Sequence, residues 1–593
     1  QISTMKFSFA ISAISATTMA IFATLAPCAS AVNFIVIQPD DMQFYDEWNP
    51  PPYLPWNGNY PGQAYPGTSV LPWINKLREE GLTMTQAYAA SPKCGTSRYS
   101  TVTGRYATRS SHGRKQAIAD GKNATNPADA SIPNTKLRNI RSVDDGQDCR
   151  VSNIAQAFES AGYETGMVGK WHLSKDRLVA NANGTYAGVK EEIERCGFKD
   201  VEAMYPDNLD DLSGSQDWSI GLSHNMEYVA YKAVEFITDN AAKDWFLYVN
   251  PTVPHGPDVA AAMDVDCRIT TDGDFTGQMS DGWSVVGMTK EFRDNCTAYR
   301  DNVKERASQS VSNDDLGAIW VDDAIGAIYQ ALNSTKQLAD TFILFQLDHG
   351  KAEKDKIWEG GLRIPQFVHY PNGISGTPRD WSSLVSTIDI APTLLDFANI
   401  SPSYSMDGKS WKNAIDEVNG SEEDWRDNRC LFFESSEDRA VRCGCDKFML
   451  LSDTSPEEVK AVSKSWWSGK EVLFDLCDGS EYIVANSTTW SPEATDISAV
   501  KPQKAQDLKE LLQCHLDRTD PTITPLYQDC AIAARHTASK GKGLLLEEFQ
   551  TAFKTKLAHR QYSTSGSCTS PPCTAGAEAR RNLRGYHNLG SVS

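Results

Sequence analysis

Four short apolar runs, each leading into acidic, histidine or lysine residues, constrain this chain more than any other feature. Val32–Gln38 leads through Pro39 to Asp40 and Asp41, and Thr165–Gly169 runs into Lys170, Trp171 and His172. Trp245–Asn250 is followed by His255, and Thr341–Gln346 by Asp348 and His349. Runs of this length, rich in β-branched and aromatic residues, read as buried strands. Helical patterns at Ile154–Ala161, Val229–Asp239 and Asp315–Leu338 lie between them. Strands alternating with helices indicate an α/β sheet covered by helices on its faces. Ligands in open α/β sheets gather outside the carboxyl ends of the strands, so the four groups are expected to converge on one site. One aspartate at a strand end would be a turn or helix-cap residue; four such endings argue for chemistry.

Asp40 and Asp41 offer hard oxygen ligands. Successive strand side chains point to opposite faces, so both can ligate one ion only if the chain turns there. Asp348 and His349 add a carboxylate and an imidazole. This oxygen-rich set favours Ca2+ or Mg2+ over zinc.

The remainder of the chain organises around this core. Polar stretches at 113–150 and 258–302 read as surface loops. Beyond Pro402, the apolar runs Leu431–Phe433, Phe448–Leu451 and Val472–Asp475 predict short antiparallel strands of a smaller C-terminal subdomain. A helix is expected at Leu544–Leu557 and disorder in the Ser/Gly/Arg-rich end from Tyr562. Near the start, Met5 and Lys6 precede an apolar run to Leu25 and a small-residue Ala29-Ser30-Ala31, the layout of a secretory signal peptide cleaved after Ala31, with residues 1–4 upstream of its first methionine. The expected divisions are 1–31 for the signal, 32–400 for the catalytic domain, 401–520 for the C-terminal subdomain and 521–593 for a variable extension.

Secretion fits the 14 cysteines. Setting aside Cys28 in the signal and Cys94 leaves an even number, as expected for structural disulfides in an oxidising compartment, with the pairing open. The cluster Cys430, Cys443, Cys445 and Cys477 has poor spacing for tetrahedral zinc and is read as disulfides. Sequons begin at Asn123, Asn183, Asn295, Asn333, Asn399, Asn419 and Asn486, and each predicts a surface loop. A net charge of −20 excludes general nucleic-acid binding, because phosphate contacts need a basic surface. An anionic substrate would have to be held by local cations against that field.

The stretch Cys94-Gly95-Thr96-Ser97-Arg98, closed by Thr103-Gly104-Arg105, resembles the signature of type I sulfatases. So do Asn33–Asp41, Gly169-Lys170-Trp171-His172-Leu173, Pro254-His255-Gly256-Pro257 and Asp348-His349-Gly350 with Lys356 and Trp358–Pro365. Asp389–Leu395 and Met406–Ser410 complete the series, in family order, from about residue 33 to 410. The resemblance implies an alkaline-phosphatase-like fold, with a central mixed, mostly parallel sheet flanked by helices and a smaller C-terminal antiparallel sheet. It also implies hydrolysis of sulfate esters by a hydrated Cα-formylglycine made from Cys94. Asp40, Asp41, Asp348 and His349 would hold Ca2+. Arg98 would orient the nucleophile, Lys170 and Lys356 would neutralise sulfate oxygens, His255 would protonate the leaving oxygen, and His172 would assist release of sulfate. The implied partners are a sulfated carbohydrate or an aryl or alkyl sulfate, and the formylglycine-generating enzyme during maturation. Stable membrane insertion is not expected, and the location is secreted or lumenal, including a lysosome-type compartment.

One position departs from the family pattern: Thr96 stands where proline is usual, and a threonine there is a candidate helix cap. Two other functions share the same residues. A phosphate or phosphonate monoester hydrolase would use the same scaffold, and a non-catalytic glycan-binding protein would keep Cys94 as a thiol.

Overall fold

The computed structural model describes residues 32–43, 71–110, 149, 152–173, 186–206, 223–256, 258–267, 296–308, 314–351, 353–416, 425, 429–435, 438–451, 471–477, 493 and 496–518. All belong to one unit of the chain, Gln1–Ile532; the second, Ala533–Ser593, lies outside them. The expected signal segment, most of both polar insertions, the Leu544–Leu557 helix and the Ser/Gly/Arg-rich end also lie outside the described residues.

β1 (Asn33–Ile37) is buried along its whole length because a parallel strand covered on both faces has no solvent side. It pairs in parallel with both β6 (Trp245–Asn250) and β7 (Thr341–Gln346). On one side β6 continues to β4 (Glu164–Lys170) and β5 (Asp200–Tyr205), all parallel. On the other, β7 meets β8 (Gln366–His369) antiparallel, then β2 (Leu82–Met84) and β9 (Arg379–Trp381). The result is an eight-stranded, mostly parallel sheet in the order β5-β4-β6-β1-β7-β8-β2-β9. The short β3 (Ala87–Tyr88) and β10 (Val385–Ser386) form a separate parallel pair.

Helices supply the outer layers: α1 (Pro72–Glu80), α2 (Cys94–Thr103), α3 (Ile154–Ser160), α4 (Tyr186–Arg195), α5 (Met226–Asp239), α6 (Cys296–Ser308), α7 (Asp314–Ser334), α8 (Ile390–Phe397) and α9 (Pro502–Arg518). α7 stops four residues before the periodic pattern does. Lys336 adopts φ +62°, and the amide of Gln337 turns back to the carbonyl of Leu332, a left-handed helix ending. Elsewhere α7 stabilises its neighbour: the buried Asp322 carboxylate accepts from the amides of Trp73 and Ile74, capping α1 from another element.

Four antiparallel strands, β11 (Cys430–Ser435), β12 (Asp438–Cys443), β13 (Asp446–Leu450) and β14 (Glu471–Asp475), make the smaller sheet. Leu431, Phe433, Ala440 and Met449 of this sheet form one apolar cluster with Tyr88, Ile357, Trp358 and Leu362. The smaller sheet is therefore packed onto the loop that follows β7.

Cys149–Cys196, Cys267–Cys296, Cys430–Cys443 and Cys445–Cys477 are disulfides, so the zinc arrangement of the last four does not exist. Cys514 is also disulfide-bonded. Cys94 is a free, buried thiol. Asn399 is exposed in a turn, as its sequon predicts; Asn333 is exposed too, but in the last turn of α7 and not in a loop.

Candidate active site

The chain does turn after β1. Asp41 adopts φ +60°, a left-handed conformation that aspartate tolerates better than most residues. Strand alternation is broken there, and the two adjacent carboxylates come to the same region. Asp40 forms a bridge with Pro254, whose neighbour His255 donates its amide to the Asp40 carbonyl at 3.0 Å. The Asp41 amide donates to Asp348 Oδ1 at 3.2 Å, tying the end of β1 to the end of β7.

β4 delivers Lys170 through a bulge. Its register with β5 shifts between Val168 and Gly169, and Gly169 has φ +90°. A Cβ at Gly169 would stand 1.9 Å from the carbonyl oxygen of Asn250, so only glycine lets β4 pass β6 here. The fully buried Lys170 ammonium then pairs with Asp40 Oδ2. Two residues on, His172 also adopts a left-handed turn, and its ring packs within 3.8 Å of where a Gly95 Cβ would be. The imidazole thus lies against the first turn of α2.

That first turn carries Cys94, whose Sγ is 3.3 Å from His349 Nε2. Arg98, one turn later, is completely buried. Its guanidinium donates to Asn250 Oδ1 at 2.8 Å and to the Gln38 carbonyl at 3.3 Å. It also lies 3.4 Å from Asp40 Oδ1 and 3.5 Å from Asp348 Oδ2. Asn250, at the end of β6, was not among the sequence candidates, and it fixes the guanidinium plane.

Thr96 does not cap α2. The N-cap residue is Lys93, without a side-chain cap. Thr96 sits inside the first turn, where its hydroxyl donates to the Lys93 carbonyl at 3.1 Å and meets Ser91 Oγ at 2.6 Å.

After β7, Asp348 and His349 face the same centre. His349 Nδ1 lies 3.1 Å from the Gly350 carbonyl and must donate to it. This fixes the tautomer in which Nε2 carries the lone pair. Nε2 stands 3.3 Å from Asp41 Oδ1. The lysine of this loop that reaches the site is Lys354, whose ammonium donates to Asp41 Oδ2 at 2.8 Å. Lys356, singled out from sequence, is half-buried and makes no side-chain hydrogen bond or ion pair among the described residues. Three lysines crowd positions 351 to 356, and a left-handed turn at Asp355, φ +69°, separates Lys354 from Lys356. His255, part-buried, holds its Nδ1 2.9 Å from the Gly256 carbonyl and presents Nε2 3.7 Å from Asp41 Oδ2.

The electrostatics follow from burial and pairing. Burial alone would push the Asp40 carboxyl up, but Lys170, His255 and Arg98 outweigh it and hold Asp40 well below the usual carboxylate range. Burial, aided by the charge of Asp40, pushes Asp348 up against the pull of His349 and Arg98. Burial would also lower Lys170, yet Asp40 raises it, so its ammonium stays charged. The Cys94 thiol is pushed well above the ordinary value by burial and then by Asp40, which disfavours a thiolate there.

These residues suit a hard divalent cation. Asp40, Cys94, Asp348 and His349 offer ligand atoms within 4.8 Å of one another. Asp40 Oδ1 and Asp41 Oδ1 are buried and accept no hydrogen bond. A lone-pair nitrogen facing an unsatisfied carboxylate oxygen repels it unless a positive charge lies between them.

The sequence profile described as Sulfatase matches residues 33–400. An arylsulfatase from Clostridium perfringens is 26% identical over 447 residues, covering 69% of this chain and 86% of that protein. An arylsulfatase from Hemicentrotus pulcherrimus is 25% identical over 400 residues, covering 60% of this chain and 59% of its own length. Among solved structures, one from work on the metabolism of multiple glycosaminoglycans by Bacteroides thetaiotaomicron aligns with TM-score 0.54 at 18% identity, covering 82% of this chain and all of that one. Ps i-CgsB, solved in complex with a neocarrahexaose, aligns with TM-score 0.51 at 18% identity, covering 86% of this chain and 98% of that one. At such identities these two likenesses speak to the fold.

Proposed function

Because the chain belongs to the sulfatase family and is a sulfuric ester hydrolase, we propose that it cleaves sulfate esters with a Cα-formylglycine derived from Cys94, beside Ca2+ held by Asp40, Asp41, Asp348 and His349. The observation that carries this reading is the convergence of the ends of β1, β4, β6 and β7 on the first turn of α2, where Cys94 lies 3.3 Å from His349. The unmodified thiol, kept protonated by burial, would be a poor nucleophile, which supports conversion as the route to activity. When formed, the hydrated aldehyde supplies a hydroxyl to attack sulfur. When bound, Ca2+ polarises sulfate oxygens and favours ionisation of a neighbouring hydroxyl.

The side chains divide the remaining work. Arg98, gripped by Asn250 and the Gln38 carbonyl, offsets Asp40 and Asp348 and orients the residue at position 94. Lys170 and Lys354 stand on Asp40 and Asp41 as fixed positive charges for the sulfate oxygens on which charge grows. Lys354 takes the role that the sequence assigned to Lys356. His255 spends Nδ1 on a backbone carbonyl, so Nε2 is its nitrogen for giving a proton to the departing oxygen. His172, against Gly95, is placed to accept a proton as sulfate is released.

Conversion of Cys94 calls for the formylglycine-generating enzyme as a maturation partner, and the Thr96 hydroxyl pair with Ser91 keeps the first turn ordered without proline. The disulfides and the exposed sequon asparagines at 333 and 399 support passage through an oxidising, glycosylating compartment. No helix among the described residues is long and apolar enough to cross a membrane. The substrate is a sulfated carbohydrate or an aryl or alkyl sulfate, and the arylsulfatase relatives make nitrophenyl sulfate the first probe. Turnover of that probe by protein made with the converting enzyme, and none by the Cys94→Ala variant, is the expected result. Equal turnover by both would overturn the assignment of Cys94.

A further inference from the structure

The proposed role of Lys354 raises the question of what holds it in place, since it lies on an irregular loop. Asp348 to Arg363 folds back on itself: the Gly350 amide donates to the Gly361 carbonyl at 2.9 Å, and the Glu353 amide to the Gly360 carbonyl at 3.3 Å. Gly360 in turn donates its amide to the Glu353 carboxylate at 3.1 Å. The middle, where Lys354 and the left-handed Asp355 sit, is a single turn closed by the Lys356 amide on the Glu353 carbonyl at 3.0 Å.

That turn is also held from outside the loop. The buried Ser435, last residue of β11, donates its hydroxyl to the Asp355 carbonyl at 2.7 Å. The Asp355 amide donates to the Pro92 carbonyl at 2.9 Å, two residues before Cys94. Both backbone groups of the residue after Lys354 are thereby held, one by the smaller sheet and one by the segment that carries the nucleophile. A second clamp grips the end of the loop. Lys447 of β13, fully buried, pairs with Glu359 at 2.9 Å and Glu493 at 2.8 Å. Glu493 also accepts the Glu359 amide at 2.8 Å, and Tyr88 donates its hydroxyl to Glu359 at 2.6 Å. Burying a lysine with two glutamates is costly unless every partner is satisfied, as these are. The pair stands at the one-turn helix Glu359–Leu362, five residues from Lys354.

We propose that the C-terminal four-stranded sheet is a positioning device for the catalytic loop, with Ser435 and Lys447 acting through Asp355 and Glu359 to hold the Lys354 ammonium over the site. The inference rests on the reading of Lys354 as a sulfate-binding cation. Neither Ser435 nor Lys447 is itself placed against the reacting atoms; both are positioning residues.

A double-mutant cycle tests it, because acting through Lys354 and merely supporting the fold give different couplings. Ser435→Ala removes one hydrogen bond at small cost in volume. It should lower kcat/KM for nitrophenyl sulfate about five- to tenfold, mainly through kcat, while the thermal midpoint barely moves. In the Lys354→Ala background the same change should have less than about a twofold effect. Equal losses in both backgrounds would overturn the proposal. Amide hydrogen exchange gives a second readout that does not need turnover: Ser435→Ala should speed exchange across residues 353–362, by about tenfold at Asp355, and leave β1 and β4 unchanged. Unchanged exchange in that segment would likewise refute it. Absence of turnover in the wild-type protein would instead count against the functional reading, and exchange would still decide the positioning role.

Discussion

Asp41 Oδ2 accepts from the Lys354 ammonium at 2.8 Å, and the neighbouring Asp40 carboxylate is paired with Lys170. Two adjacent carboxylates thus anchor two cations from opposite sides of the sheet, β4 and the loop after β7. Because Asp41 turns at φ +60°, both pairs face one centre instead of opposite faces of the sheet.

This arrangement separates two lysines that sequence alone cannot. Lys354→Ala should reduce kcat/KM by about 10²–10³, the usual scale for losing a preorganised electrostatic contact. Lys356→Ala should stay within about twofold of wild type. Steady-state kinetics on one aryl sulfate checks both, and the reverse ranking would show that the loop turns differently.

Gly169 makes a purely geometric prediction. A Cβ there meets the Asn250 carbonyl at 1.9 Å on a left-handed backbone, so Gly169→Ala should destabilise the protein by about 3 kcal/mol or more. Denaturant unfolding measures this directly. A change below about 0.5 kcal/mol would contradict the close approach of Gly169 to the Asn250 carbonyl.

Chelation should remove activity and reduce thermal stability together, since Asp40 Oδ1 and Asp41 Oδ1 are buried and accept no hydrogen bond among the described residues. Calcium should restore both more fully than magnesium, because a site of carboxylates and one imidazole without a rigid octahedral frame suits the larger ion. Full retention of activity and thermal midpoint after exhaustive dialysis against a calcium chelator would speak against a metal at this site.

Away from the site, Glu434 links acid stability to the smaller sheet. Burial would raise its carboxyl, but the hydrogen bond to His515, the charge of Arg439 and the Thr108 hydroxyl bring it below the ordinary glutamate value. A carboxyl lowered in the folded state stabilises the protein above its unfolded value, and this contribution is lost as pH falls through the folded value. Unfolding free energy should therefore decline below about pH 4.5, and Glu434→Gln should flatten that decline while lowering stability at neutral pH. An unaltered pH slope in the variant would remove Glu434 from the account.

β1, β4, β6 and β7 were legible in the sequence because strands buried on both faces are written as continuous apolar runs. β5 was not: as an edge strand it reads Asp-Val-Glu-Ala-Met-Tyr, with two acids at part-buried positions. β12 hid for a different reason. Its Arg439 and Arg442 look like surface residues, yet both are buried, and Arg442 stacks on Tyr88 and faces Glu359, partners remote in sequence. The strand-end groups Asp40, Asp41, Lys170, His172, Asp348 and His349 were found by their position after apolar runs. Lys354 and Asn250 were missed because the first is one of three lysines crowded into one loop and the second carries no charge.

The central claim is tested most directly by mass spectrometry of the peptide containing Cys94, from protein secreted by a host with the formylglycine-generating enzyme. The expected mass at position 94 is that of Cα-formylglycine, with Thr96 tolerated. An unmodified thiol there, in a host that converts a control sulfatase, would contradict it.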